Sequence, residues 1–276
     1  MLATVKSNIL RRIEPLKIRS LDQASIEQNF DVLKKRLAGI VPDLSGQYTL
    51  TAVNDVYTTN KVRSLHAFQI SLVEKVLNEF KTPTIVDIGD SAGTHIQYLN
   101  GLFSNGRKLN CLSVNLDPQA IQRIKSKGLQ ALHIRAEELA TQDIHADIFL
   151  CFETLEHIMN PCQFLHDLSV KTKAKYLIVT VPYVKKSRMG LRHIRKNNPA
   201  AFFAENTHIF ELSPADWKLL FQFSGWKVTH EKIFYQYPHK HWLKLLKYYW
   251  RRCDFEGFYG VILTPDHTWS STYKDW

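Results

Sequence analysis

Residues 84–99, TIVDIGDSAGTHIQYL, constrain the fold of this chain more than any other stretch. Ile85, Val86 and Ile88 make an apolar β-branched run around Asp87, and a turn of small residues, Gly89, Ser91, Ala92 and Gly93, follows at once. Such a run reads as a buried strand, and the small residues let a ligand approach the backbone before a helix opens near Thr94. Similar turns also follow strands in α/β proteins that bind nothing there, so the rest of the chain must decide.

Four further runs repeat the pattern. Residues 112–116 read as a second strand with Asp117 at its tip, about as far downstream as a βαβ unit requires, and such a carboxylate can accept two hydrogen bonds from ribose hydroxyls. Residues 131–134 form a third, followed by Arg135, Ala136 and Glu137 where an adenine ring would lie. Residues 146–152 form a fourth, leading into ETLEHIMNPCQFLHDL, and residues 176–181 a fifth, ending at Pro182. Residues 227–235 and 258–263 read as a sixth and a seventh. Strands alternating with helical patterns predict an α/β fold, a doubly wound seven-stranded and mostly parallel sheet with its ligands at the carboxyl ends of the strands.

From about residue 80 to residue 235 the chain resembles a class I S-adenosylmethionine-dependent methyltransferase of the small-molecule type that includes ubiquinone-biosynthesis O-methyltransferases. VDIGDSAGTH resembles the glycine-rich first motif, NLDPQAI the ribose-binding acid, ADIFLCFETLEHIMNPCQFL the fourth motif, and HIFELSPADWKLLFQFSGWKV the helix and strand after the fifth strand. The resemblance implies a Rossmann-like methyltransferase fold, S-adenosylmethionine as cofactor, and Asp87, Gly89, Asp90, Ser91, Gly93, Asp117, Ala136, Glu137 and Phe152 as the residues around it. Two positions depart from the pattern: Ser91 stands where the family has its middle glycine, and Asp90 where it has a small residue or cysteine. A nicotinamide dehydrogenase shares the strand, turn and distal acid, but the turn here lacks the GxGxxG form whose third glycine packs helix against strand beneath a pyrophosphate.

The length of 276 residues and 45% hydrophobic content suit one core with decorations. Residues 1–80 are expected to form an N-terminal helical cap, with helices over 21–37, capped by Ser20, and over 64–80, stopped by Pro83. In this family such helices cover the cofactor, and Arg63, Ser64 and His66 are candidates for its carboxylate. Residues 81–276 form the methyltransferase domain. No apolar run approaches the roughly 20 residues of a membrane span, residues 1–20 lack a secretory core, Pro15 is expected to break their helical pattern, and Cys111, Cys151, Cys162 and Cys253 lack metal-type spacing. A cytoplasmic protein with reduced thiols is the expectation. The net charge of +10 lies in two segments. Lys185, Lys186, Arg188, Arg192, Arg195 and Lys196 belong to a basic insert at 183–205, read either as a solvated loop or as a lid for an anionic acceptor. Lys240, Lys244, Lys247, Arg251 and Arg252 belong to a basic aromatic helix at 239–252, whose face of Trp242, Leu245, Leu246 and Tyr249 suits packing on the sheet or a membrane surface.

Methyl transfer from a sulfonium needs mainly alignment and desolvation, but an alcohol acceptor must also lose a proton to a base or be acidified by a metal. Glu153, Glu156 and His157, at i, i+3 and i+4, are expected on one face of a helical turn beside the sulfonium. With His208 they resemble the metal-binding set of small-RNA 2′-O-methyltransferases, which implies a Mg²⁺, Mn²⁺ or Zn²⁺ site at Glu153, Glu156, His157 and His208. Metal-free base catalysis by His157 or His208 and a purely structural role stand beside that reading, while His95, His133 and His145 read as surface or turn residues. The expected function is O-methylation of a hydroxyl on an anionic or sugar-like small molecule, in glycan or natural-product biosynthesis. Alternatives are quinone O-methylation at a membrane surface, RNA 2′-O-methylation, for which Phe202 and Phe203 alone offer too few stacking platforms, and a non-catalytic cofactor-binding protein.

Overall fold

The computed structural model of the protein describes residues 2–104, 107–142, 144–190, 203, 205 and 207–272. Three helices come first, α1 (Leu2–Glu27), α2 (Asp31–Ile40) and α3 (Val56–Leu77). Then β1 (Thr84–Ile88), α4 (Thr94–Phe103), β2 (Asn110–Asn115), α5 (Pro118–Ser126), β3 (Ala131–His133), β4 (Ile148–Phe152), α6 (Pro161–Lys171) and β5 (Tyr176–Pro182) alternate. A short pair, β6 (Arg188–Met189) and β7 (Phe210–Glu211), precedes α7 (Pro214–Phe223), β8 (Trp226–Tyr235), α8 (Lys247–Cys253) and β9 (Gly257–Pro265).

The seven main strands run β3-β2-β1-β4-β5-β9-β8. The first five are mutually parallel, and β9 is antiparallel to both β5 and β8. This is the doubly wound, mostly parallel sheet expected from the sequence. Alternation along the strands feeds two cores. Ile85, Ile148 and Leu150 face α2, α3 and α4, whereas Val86, Phe149 and Cys151 face Phe164 and Leu165 of α6 and Trp217 and Phe221 of α7. The strand order changes between β1, which is followed by β2, and β4, so their carboxyl ends open on the switch point where such sheets hold ligands.

The N-terminal region departs from the expectation. The helix continues through Pro15, and Ser20 is no cap: it lies inside α1, where its hydroxyl donates to the Gln236 carbonyl at 3.2 Å. The predicted 21–37 helix is two helices, broken where Asn29 takes φ 63°. The third helix begins earlier than predicted, at Val56, because Asp55 accepts from Thr58 N–H and caps it. From Val62 onward α3 is almost wholly buried, so packing crosses the residue-80 boundary and α3 covers one face of the sheet. Phe68 of α3 fixes the junction, with Phe30 from the α1–α2 bend 5.7 Å away edge-on and Phe234 of β8 at 5.9 Å. The 239–252 segment is also rotated from its predicted phase: Leu243 and Trp250 are buried, while Trp242 and Leu245 stand 60% and 62% exposed. Residues 242–246 form a 3₁₀ turn, whose period of three shifts the apolar face.

Because Phe68 is fully buried where three elements meet, Phe68→Ala is expected to lower the unfolding free energy by about 3–5 kcal/mol. Urea unfolding of the full chain checks this; a loss below about 1 kcal/mol would mean that the N-terminal helices do not stabilise the sheet.

Candidate functional site

The chain leaves β1 through Gly89, at φ 87°, and enters α4 from Gly93, at φ 73°. A Cβ on Gly89 would stand 2.1 Å from the Thr154 hydroxyl oxygen, and one on Gly93 2.6 Å from Leu129 Cδ1, so both left-handed positions need glycine twice over. Asp90 braces the turn. Its Oδ1 accepts from the N–H groups of Ala92 and Gly93 at 3.1 and 2.8 Å, and its Oδ2 from the Ser113 hydroxyl at 2.7 Å. Asn115 Nδ2 donates to the carbonyls of Gly89 and Asp90 and ties the turn to β2.

A cavity of about 170 Å³ lies over this turn, between Asp87, Ser91 and Asp117 on one side and Phe152, Glu153 and His157 on the other. That is below the roughly 300–1,000 Å³ of pockets for drug-sized ligands. Residues 47–50 narrow it. Thr49 donates its hydroxyl to Asp117 Oδ2 at 2.6 Å and accepts from Arg123 at 2.8 Å, and Glu205 accepts from the N–H groups of Thr49 and Leu50 at 3.0 and 2.7 Å. Asp117 also caps α5, through Gln119 N–H at 2.9 Å. Burial raises its carboxyl, but these bonds outweigh burial and hold it below the ordinary value.

Behind the cavity a buried polar chain crosses the sheet. Asp87 Oδ2 lies 2.9 Å from His95 Nδ1, His95 Nε2 lies 3.1 Å from Gln69 Oε1, and Gln69 Nε2 donates to the Thr180 hydroxyl at 3.0 Å. That hydroxyl in turn bonds Glu153. Asp87 Oδ1 has no partner. Burial pushes Asp87 up to about 6 against the pull of His95, and His95 itself is raised because Asp87 outweighs its own burial. His95 is therefore a buried member of the site and not the surface or turn residue expected.

The second half of the site comes from the turn after β4 and from β7. Glu153 takes φ 48°, and only Leu155–His157 form a 3₁₀ turn. The left-handed residue breaks the predicted i, i+3, i+4 face, so Glu153 faces Thr180 while Glu156, His157 and His208 draw together. Ile209 N–H donates to the Glu156 carbonyl at 2.8 Å, which carries His208 across to His157, the two rings standing 4.7 Å apart and perpendicular. Each imidazole is held through Nδ1: His157 against the Thr207 carbonyl at 2.9 Å, His208 against Glu211 Oε1 at 3.4 Å. Each points Nε2 toward Glu156 Oε1, at 3.9 and 4.0 Å. Neither oxygen of Glu156 has a hydrogen-bond partner, although the residue is fully buried. Burial pushes Glu153 up to about 8, and burial reinforced by the neighbouring Glu153 pushes Glu156 well above the ordinary carboxylate range.

Residues 86–174, about a third of the chain, match the family profile described as a methyltransferase domain. The fold is similar to magnesium protoporphyrin IX methyltransferase from Synechocystis PCC 6803 with bound S-adenosylhomocysteine (TM-score 0.53, 11% identity, 89% of this chain and 100% of that one). It is also similar to 1,6-didemethyltoxoflavin-N1-methyltransferase from Burkholderia thailandensis with its substrate and S-adenosylhomocysteine (0.51, 11%, 73% and 78%). The [4+2]-cyclase SpnF shares it too (0.56, 9%, 88% and 97%), so the fold alone does not fix the reaction. A search of curated proteins returns no match.

Of the residues expected around the cofactor, the cavity brings together Asp87, Gly89, Asp90, Ser91, Asp117 and Phe152. Gly93 lies just beneath it as the helix cap. Ala136 and Glu137 stand outside its lining, in a 3₁₀ turn where Glu137 faces Arg135. Of the three α3 candidates His66 reaches the cavity, while Arg63 donates instead to the carbonyls of Leu37 and Pro42 and to Tyr98, and Ser64 to Asn60. Arg192, Arg195, Lys196 and Phe202 lie outside the described residues. Sequence reasoning missed Thr49, Gln69, His95 and Glu205, whose partners lie on other elements and leave no local signal.

Asp87 and His95 both hold protons more tightly in the fold than their ordinary values of about 3.9 and 6.5 allow in the unfolded chain. Their contribution to stability is therefore fully present below about pH 4 and is lost as pH rises through 6 and past 6.5. Urea unfolding at pH 5 and pH 8 is expected to show a smaller loss in Asp87→Asn than in the wild type, and identical losses would refute the linkage.

Proposed function

We propose that the protein transfers the methyl group of S-adenosylmethionine to a hydroxyl of an anionic or sugar-like small molecule. The observation that carries this reading is the convergence of two imidazole Nε2 atoms on the unpartnered, buried carboxylate of Glu156, beside the cavity above the glycine turn. The residues present fit the cofactor. The turn leaves backbone exposed without side-chain bulk, Asp117 offers a ribose acceptor once Thr49 withdraws, and the orphaned Asp87 Oδ1 offers an acceptor for the amino group. Phe152 supplies an apolar wall that excludes water from the sulfonium.

In the transfer the acceptor oxygen forms a bond to the methyl carbon as the sulfur–methyl bond breaks, leaving neutral S-adenosylhomocysteine. The hydroxyl proton needs a destination. With Nδ1 turned to the Thr207 carbonyl, the assigned tautomer of His157 presents a lone pair at Nε2, which takes the proton and passes it to solvent. The same side chains fit a divalent cation, because orphaned Glu156 oxygens beside two oriented imidazoles are the donor set such an ion needs. Glu156, His157 and His208 would hold it, Glu153 standing apart, and two imidazoles suit Mn²⁺ or Zn²⁺ better than Mg²⁺. When bound, it would acidify the hydroxyl.

A second reading, an acceptor met at a membrane surface, is favoured by one observation. Trp242, Leu245 and Tyr248 form an exposed strip, each 60–62% accessible, with Lys244 and Arg252 beside it. No helix among the described residues is long and apolar enough to cross a membrane. Co-sedimentation with phosphatidylglycerol vesicles that is abolished by Trp242→Ala with Leu245→Ala would support this reading, and absence of wild-type co-sedimentation would end it.

Titration calorimetry with S-adenosylhomocysteine is expected to show binding that Asp117→Ala weakens by about tenfold, on the order of 1.4 kcal/mol. If a cation is held at Glu156, His157 and His208, chelation abolishes turnover in an acceptor screen while leaving that binding intact, and Mn²⁺ or Zn²⁺ restores it. Turnover that survives chelation but falls in His157→Ala assigns the proton to the imidazole alone, and no binding by folded wild type defeats the whole proposal.

A further inference from the structure

The basic segment after β5 and the basic helix near the carboxyl end lie far apart in the sequence, yet both line one cavity of about 320 Å³. Lys185, Lys186 and Arg188 form one side, Arg251 the other, and Tyr183 and Phe255 the apolar part of the wall. The backbone makes this meeting obligatory, because Tyr183 N–H donates to the Gly257 carbonyl at 2.9 Å where β5 and β9 end together.

The charges in this wall are unequal in availability. Asp254 is paired with Lys61, Glu256 with Arg251 and with the Tyr237 hydroxyl, and Glu211 with Arg188. Every acid at the cavity therefore already has its cation. Lys185 and Lys186, both exposed, have no ion-pair partner among the described residues. Two uncompensated ammonium groups over one cavity wall suit a dianion. A carboxylate would neutralise only one, whereas a phosphoryl group carries about −1.5 to −2 at neutral pH.

The same wall is the back of the proposed methyl-transfer site. Phe255 stacks on His208, with ring centroids 5.5 Å apart and planes 20° apart. Arg188 holds one oxygen of Glu211, whose other oxygen lies 3.4 Å from His208 Nδ1. A molecule with its hydroxyl at His157 and His208 thus has its next few atoms directed along Phe255 toward the two lysines.

We propose that this cavity is the acceptor's anion subsite, and that the acceptor is a phosphorylated alcohol whose phosphoryl group lies between Lys185 and Lys186 while its hydroxyl meets the His157–His208 pair. The assignment of the hydroxyl rests on the methyl-transfer reading above; the phosphoryl subsite does not.

The test is calorimetric titration of the full chain with inorganic pyrophosphate, with and without saturating S-adenosylhomocysteine. Wild type is expected to bind pyrophosphate equally well in both cases, since the two cavities are separate. Lys185→Ala with Lys186→Ala is expected to weaken pyrophosphate binding at least tenfold, with S-adenosylhomocysteine affinity changed less than twofold. Lys35→Ala with Arg36→Ala, on the exposed face of α2, should leave both unchanged. Absent wild-type binding, equal binding in the Lys185/Lys186 variant, or an equal loss in the Lys35/Arg36 variant would overturn the subsite. Pyrophosphate binding that depends on Lys185 and Lys186 in a chain that binds no S-adenosylhomocysteine would uphold the subsite and defeat the methyl-transfer reading instead.

Discussion

The close approach of Thr154 to Gly89 is the contact on which the site is built. These residues end neighbouring parallel strands, and the Thr154 hydroxyl lies 2.9 Å from the Phe152 carbonyl and 3.2 Å from that of Ile88. Any side chain on Gly89 would occupy that space. With the two turns interlocked, the chain after β4 can proceed only by the left-handed step at Glu153, which holds its place through a hydrogen bond from its own N–H to the Thr180 carbonyl at 2.8 Å. A non-glycine residue in that region costs on the order of 1–3 kcal/mol, and such strain gathers where geometry is functional. Here it sends Glu153 toward the polar chain beneath the cavity over the glycine turn and sends Glu156 and His157 to the far side.

The two sides differ in how their buried polar atoms are satisfied. Beneath the cavity over the glycine turn Asp87, His95, Gln69 and Thr180 answer one another, leaving Asp87 Oδ1 and one oxygen of Glu153 as the exceptions. On the far side both Glu156 oxygens are orphaned. An unpaired buried carboxylate costs several kcal/mol if charged, and folded proteins keep such groups rarely. Concentrating them at the mouth of a cavity, with imidazoles already oriented by Thr207 and Glu211, marks the place where a proton or a cation belongs.

The five parallel strands were legible because four of them couple an apolar run to small or acidic residues at the carboxyl end and the fifth ends at Pro182, and no later packing changes that pattern. The N-terminal helices were less so. Pro15 costs an isolated helix about 3 kcal/mol, yet α1 continues through it because Leu21 packs with Tyr237 and Trp250, and Ser20 reaches the Gln236 carbonyl. That compensation comes from residues more than 200 positions away and leaves no local trace. His95 was misread for the same reason: its partners Asp87 and Gln69 lie on a strand and a helix that meet only after the sheet forms. The pairing of Glu153 with Glu156 failed because an i, i+3 argument assumes a continuous helix, which the left-handed residue forbids.

Formal charge also proves a poor guide to the field that a ligand meets. The eleven basic residues of the two segments exceed the net charge of +10, suggesting one broad positive face. Folding divides that charge unequally. Arg188 and Arg251 each close on a carboxylate, Glu211 and Glu256, that is 0% and 7% exposed, so each guanidinium is spent on keeping a buried acid charged. The Arg188 bond then extends to His208 through Glu211, so this arginine belongs to the scaffold of the histidine pair as much as to the surface. What is left at this cavity among the described residues is compact: two neighbouring lysines, flexible point charges beside an aromatic wall. On the reading proposed above, selectivity depends on the distance between anion and hydroxyl and only weakly on total charge.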